Sequence, residues 1–106
     1  AAMKRVLRYT IALDDKPHAV PIGVPVLFDR SGPNRAPGME ARIDAWFEVH
    51  VPGTDWDPTT YEPRKQWVQV VGTGHPVPDS WRWLWSFYDR GLVWHLYRVP
   101  DKDVEE

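Results

Sequence analysis

The stretch that decides the fold is DSWRWLWSFYDRGLVWHLYRV, residues 79–99, which holds four of the chain's seven tryptophans. Its apolar residues recur at every second position on both sides of a short polar break, which is the period of β-strands rather than of a helix. The break ends at Gly91, and glycine readily takes the left-handed conformation that a three-residue hairpin loop requires. We therefore predict a hairpin made of strands 81–88 and 92–99.

The faces of this hairpin follow from strict alternation. In the first strand the odd positions are predicted to form one largely buried face, because each ring removes about 150–250 Å² of surface from water; they are Trp81, Trp83, Trp85 and Phe87. The second strand is apolar on both faces, with Leu92, Trp94 and Leu96 on one and Val93, His95, Tyr97 and Val99 on the other. It is therefore expected to be a central strand covered on both sides, or one whose second face meets a partner.

Period-two alternation recurs along the rest of the chain. It is clearest over 39–51, where one face carries the apolar residues and Trp46 is the only large ring on the other face. Residues 4–13 and 65–71 are also predicted to be strands. Residues 18–29 contain Pro21 and Pro25, which cannot donate to a ladder, so this segment is expected to be an edge strand or an extended crossing.

Eleven prolines and seven glycines are spread over the 106 residues and leave no long stretch with helical spacing. The sequence thus predicts a mainly β fold: a single small antiparallel sandwich or partly open barrel of five or six strands, with little helix. One domain is expected over residues 3–100. Residues 1–2 are interpreted as a cloning artefact, and residues 101–106 as a flexible acidic tail.

Composition argues against several classes of function. The net charge is −2, which supplies no field for attracting a phosphate backbone, so nucleic acid is not the expected partner. There is no cysteine, and hence neither a disulfide framework nor a thiolate site. No apolar run is long enough for a membrane helix, and a cytoplasmic location is expected.

Residue types that carry chemistry are present, but not at catalytic spacing. The four histidines lack the spacing of a metal site, and no serine lies in a nucleophile-elbow motif. The glycines of GTGHP, residues 72–76, are followed by Pro76 and Pro78, so no helix can aim its N-terminus at a phosphate there. The chain is accordingly predicted not to be an enzyme and to hold no metal or cofactor.

An aromatic contact surface is the binding hypothesis that the sequence favours, since tryptophan is enriched at interface hot spots. Its expected residues are Trp46, Trp56, Tyr61 and the exposed rings of the hairpin, with Arg64, Arg82 and Arg90 on the rim. Two other interpretations remain open: the rings simply fill a small core, or they line a pocket for a small ligand or single-stranded nucleic acid. A homodimer through the same surface is a further expectation.

Three strings resemble a group of small proteins of unknown function encoded by actinobacteriophages and some actinobacteria. They are KRVLRY at 4–9, VVGTGHPVP at 70–78 and VWHLY at 93–97. The central residues, 28–63, depart from that group's pattern. The resemblance implies a phage accessory protein that acts in a bacterial cytoplasm by engaging a host or phage protein, and it transfers no catalytic residue.

Overall fold

The structure of the protein is a computed structural model that describes residues 3–30, 42–53, 64–89 and 91–104. These residues form seven β-strands and one short 3₁₀ helix. The strands are β1 Met3–Ala12, β2 His18–Pro21, β3 Val24–Arg30, β4 Arg42–Val51, β5 Lys65–Gly72, β6 Arg82–Asp89 and β7 Leu92–Val99; the 3₁₀ helix is Asp101–Asp103. This helix occupies the start of the segment that was predicted to be a flexible tail.

The strands form two antiparallel sheets, one ordered β1-β4-β3 and the other β2-β5-β7-β6. The sheets pack face to face, and the hydrogen-bonded order closes neither into a barrel. The predicted antiparallel sandwich is therefore confirmed. Seven strands replace the expected five or six because residues 18–29 supply two strands, one to each sheet.

Gly23 marks the point at which the chain crosses between the sheets. Before it, the Ile22 amide donates to the Arg64 carbonyl, 2.7 Å away, on the β5 side. A Cβ added to Gly23 would collide with the backbone carbonyl oxygen of Glu48 and lie 2.8 Å from Cγ1 of Val49. The backbone at Gly23 thus lies directly against β4, and only glycine fits there because there is no room for a Cβ.

The core follows from the alternation of β4. Its even-numbered residues are exposed or half-buried, and its odd ones from Ile43 to Val51 are buried. Facing them across the sandwich are buried side chains of β2, β5, β6 and β7: Val20, Val68, Val70, Phe87 and Leu96. The burial pattern predicted for this strand is confirmed.

Pro21 and Pro25 both lie on edge strands, β2 and β3, as their missing amide protons require. β3 also has a register shift, because Pro25 pairs with Phe47 and Leu27 with Trp46, leaving Val26 as an extra residue. Such bulges are common at sheet edges.

The β6–β7 hairpin is confirmed, and Gly91 in its loop has φ 78°, in the left-handed region. β7 lies between β5 and β6, which agrees with the central position expected for a strand that is apolar on both faces. Residues 31–41, 54–63 and Arg90 lie outside the described part of the chain. The two long loops of the sequence are therefore largely outside it.

The predicted single buried face of the first hairpin strand is wrong. β6 contains a bulge: Trp83 pairs with Tyr97 and Trp85 pairs with Leu96, so Leu84 is an extra residue. Since one inserted residue reverses the alternation, Trp83 and Trp85 project from opposite faces. Trp83 is 55% exposed, whereas Phe87 on the inner face is buried.

Packing between the sheets explains the inner face of β6. The ring of Phe28 on β3 stacks on Phe87, with centroids 4.7 Å apart, and on Trp85, with centroids 6.1 Å apart. Leu84, in the bulge, also packs against the core. These contacts hold Trp85 and Leu84 toward the interior while Trp83 faces outward.

Candidate functional site

The outer face of the β6–β7 hairpin carries the largest exposed rings of the four-stranded sheet. The register places three pairs side by side on it: Trp83 with Tyr97, Ser86 with His95, and Tyr88 with Val93. We call these six residues the hairpin face. Tyr88 is 73% exposed and Trp83 55%, which is unusual for rings of this size on a small domain.

A continuous chain of hydrogen bonds runs beneath Trp83. Its indole Nε1 donates to Ser86 Oγ at 2.9 Å, and Ser86 Oγ lies 2.6 Å from His95 Nδ1. On the other side of the imidazole, Nε2 lies 2.9 Å from Thr73 Oγ1, which also bonds the carbonyl oxygen of Val93 at 2.9 Å. The exposed ring is thereby connected to the backbone of β7.

The direction of two of these bonds follows from the protons available. Thr73 has one hydroxyl proton and donates it to the Val93 carbonyl, so it must accept from His95 Nε2–H. Ser86 Oγ accepts from Trp83 Nε1–H and is also hydrogen-bonded to His95 Nδ1. This connected set of hydrogen bonds favours one orientation of the Trp83 ring.

The bulge at Leu84 makes this arrangement possible. In an uninterrupted strand, residues three apart project from opposite faces, so Trp83 and Ser86 could not meet. The extra residue places them on the same face, with Nε1 and Oγ within hydrogen-bond distance.

The outer face of the three-stranded sheet presents a second apolar surface, around Trp46. The ring is half-buried between its cross-strand neighbours Arg8 and Leu27. In the next row Glu48 lies between exposed Val6 and Val24 and pairs with Lys4 at 3.6 Å. Trp46 therefore lies on the outer side of its strand, where the alternation of 39–51 places it.

The structure separates the predicted site residues. Trp46 lies on one outer face of the sandwich and Trp83 on the opposite one, so the two rings cannot belong to one flat contact. Arg82 begins β6 and is exposed, whereas Arg64 precedes β5, with β7 between those strands. The remaining predicted residues, Trp56, Tyr61 and Arg90, lie outside the described part of the chain.

Sequence reasoning missed the role of the polar residues in the hairpin. Ser86 and His95 were the only uncharged polar side chains in the two strands, and that isolation was the available signal. Thr73, in contrast, is separated from His95 by 22 positions and could not be paired with it from spacing.

One titratable pair stands away from the hairpin face. Burial raises the pKa of Asp14, but hydrogen bonds from the His18 ring and the Lys16 amide, with the charge of His18, outweigh it and hold that pKa below its ordinary value. Asp14 Oδ1 lies 2.7 Å from His18 Nε2. The pair secures the turn between β1 and β2, and its role is structural.

The described ranges contain neither a metal-binding cluster nor a membrane-spanning helix. Within them, no three histidine or acidic side chains come close enough together to hold a metal ion. No helix in the same ranges is sufficiently long and apolar to cross a bilayer.

Comparison with known proteins leads to a family without an assigned activity. Neither the curated proteins nor the solved structures include a match to this chain. A family model, described as a domain of unknown function (DUF7352), matches residues 3–106. That match spans all seven strands of the sandwich, and the chain therefore belongs to the DUF7352 family of domains of unknown function.

Proposed function

We propose that the protein is a non-catalytic binding protein that recognises a protein partner through the hairpin face. Following the resemblance noted from the sequence, the partner is a host or phage protein in a bacterial cytoplasm. The observation that carries the proposal is the exposed Trp83 ring, fixed by its hydrogen bond to Ser86.

A fixed, exposed tryptophan has the properties of a binding hot spot. Rings with a single orientation lose little conformational entropy when a partner covers them, so more of the contact energy contributes to affinity. Tyr97 lies directly opposite Trp83, and Tyr88 lies two rows further along the hairpin, beyond the row of Ser86 and His95. Exposed aromatic rings with hydrogen-bonding groups among them are typical of protein interfaces.

The shape of the edge favours recognition by side chains over strand addition. Among the described strands β6 is hydrogen-bonded to β7 alone and lies at the edge of its sheet, and such edges can accept an extra strand. The bulge at Leu84 interrupts the row of backbone groups that an added strand would need. A partner is therefore expected to bind across the hairpin face.

A quantitative affinity capture from bacterial lysate tests the proposal with three baits. Wild-type protein and Met3→Ala, a change at an exposed residue of β1, should retain the same partner. Trp83→Ala should lose it, with at least a tenfold drop in affinity when the captured protein is purified and titrated. Equal capture by all three baits would contradict the proposal.

Trp46→Ala decides between the two outer faces. The sequence-based hypothesis expects this change to weaken binding at little cost in stability. Retention by Trp46→Ala with loss by Trp83→Ala assigns the contact to the hairpin face, and the reverse result assigns it to the three-stranded sheet.

Two further measurements identify other occupants of the same face. A wild-type dimer in sedimentation that becomes monomeric in Trp83→Ala would make the partner a second copy of the chain. Binding of single-stranded oligonucleotides that weakens steeply with salt would instead support a nucleic-acid platform.

A further inference from the structure

Two arginines face each other at the open end of the hairpin, away from the hairpin face. Arg82 and Arg98 are directly opposed in the β6–β7 register, and Arg98 is also opposed to Val68 of β5. Val68 is fully buried in the core, so both guanidinium groups project from the core-facing side where the sandwich ends. Arg98 is half-buried and Arg82 is exposed.

The pair has no counter-charge among the described residues. None of their carboxylates forms an ion pair with Arg82 or Arg98. The carboxylate of Asp103 accepts from Trp81 Nε1 at 3.1 Å and from Ser80 Oγ at 3.4 Å instead. Like charges that oppose each other directly across two strands destabilise a sheet, so the bare pair is an unfavourable arrangement.

The two arginines line a shallow, open cavity. Its volume is about 300 Å³, and its walls are formed by Ser80, Arg82, Arg98 and Pro100. This volume lies at the lower end of the range for small-molecule sites. The cavity presents two guanidinium groups and one hydroxyl group, next to the ring of Pro100.

We propose that this cavity binds the phosphate group of a small phosphorylated molecule. Two guanidinium charges match a phosphate monoester, which carries nearly two negative charges at neutral pH. Each guanidinium can donate two parallel hydrogen bonds to phosphate oxygens, and such charge-assisted pairs are among the strongest in proteins. The Ser80 hydroxyl can become a further donor only by turning its single proton away from Asp103, to which its bond is long at 3.4 Å.

Binding would also remove the repulsion between the arginines. The site therefore predicts that phosphate stabilises the fold, since a ligand that binds only the folded state raises the free energy of unfolding. This proposal is independent of the hairpin face and of any protein partner.

Calorimetric titration and thermal unfolding at low ionic strength test the site with inorganic phosphate, phosphoserine, adenosine 5′-monophosphate and adenosine, and with acetate as a singly charged anion for comparison. The three phosphate-bearing probes should bind saturably and raise the unfolding temperature of the wild type, and adenosine should do neither. The strongest of the three probes identifies what else the cavity accommodates.

Matched variants locate the binding. Arg98→Gln should weaken phosphate binding at least tenfold, and Arg98→Lys, which keeps the charge but loses the fork, should give an intermediate loss. Lys16→Gln removes one exposed charge from the β1–β2 turn and should stay within twofold of the wild type. Without phosphate, Arg98→Gln should unfold no earlier than the wild type, because it relieves the repulsion.

Three outcomes would overturn the proposal. They are the absence of saturable phosphate binding by the wild type, equal binding by Arg98→Gln and Lys16→Gln, and acetate binding as tightly as phosphate. The last result would show that the site does not distinguish a phosphate dianion from a carboxylate.

Discussion

β4 and β6 are both tryptophan-bearing strands with period-two sequences, yet only β4 follows its pattern from end to end. β4 lies at the centre of its sheet and is hydrogen-bonded on both sides, so a register slip would disrupt two ladders. β6 is an edge strand with one neighbour, and it accommodates an extra residue at Leu84. An edge position permits a departure from alternation without requiring one, since the edge strand β1 keeps a continuous register with β4.

The largest expected difference in the free energy of unfolding is between removing a ring of β4 and removing a ring of β6. Phe47→Ala should lower the free energy of unfolding by about 3–5 kcal/mol, since Phe47 is completely buried. Trp83→Ala should cost about 1 kcal/mol, because it removes one hydrogen bond and an exposed ring. Urea unfolding of both variants measures the contrast, and similar losses would show that the β6 ring belongs to the core.

Deleting Leu84 tests whether the bulge is a simple insertion. The deletion should restore continuous pairing, leave Trp83 opposite Tyr97, and cost about 2 kcal/mol through the lost packing of Leu84 on the core. The check is the indole N–H signal of Trp83 in NMR. Because Trp83 and Ser86 would then be two residues apart in a regular strand and would stay on the same face, that signal should keep the shift caused by their hydrogen bond; its loss would show that the bulge is more than a simple insertion.

Ser86→Ala removes the middle of the hydrogen-bond chain under Trp83. It should lower the free energy of unfolding by about 1 kcal/mol and leave the Trp83 ring free to change rotamer. Ser86→Thr, which keeps a hydroxyl in a strand, is the matched control. Indole N–H relaxation should show added motion only in the alanine variant; unchanged motion there would mean that packing alone orients the ring.

The smallest effect concerns the Asp14–His18 pair, which touches neither strand. A carboxyl whose pKa is lower in the folded protein stabilises the fold above its unfolded pKa, and this stabilisation disappears as the pH falls through the folded pKa. Asp14→Asn should therefore cost about 0.2–1 kcal/mol at neutral pH and nothing in strong acid. Acid unfolding curves of the two proteins should converge only once the pH has fallen through the folded pKa of Asp14, which lies below its ordinary value.

The strand positions, the antiparallel pairing of the hairpin and the faces of β4 could all be predicted, because each depends on neighbours a few residues apart. The bulge could not, since no glycine or proline marks Leu84, and Phe28, which stacks on the neighbouring Trp85, lies more than fifty positions earlier. The same limit applies to the candidate site. The outward position of Trp46 could be predicted from alternation. The bond between His95 and Thr73 could not, because it depends on the pairing of β7 with β5, the strand that ends just before Thr73.

The crossing at Gly23 determines how the chain can be divided. Because β2 belongs to one sheet and its sequence neighbours β1 and β3 to the other, no single cut separates the two sheets. Only β3–β4 and β6–β7 pair strands that are consecutive in sequence, and β1–β4 and β2–β5 must close long loops first. The chain is thus expected to fold slowly, in one cooperative step, and to yield no stable fragment on limited proteolysis.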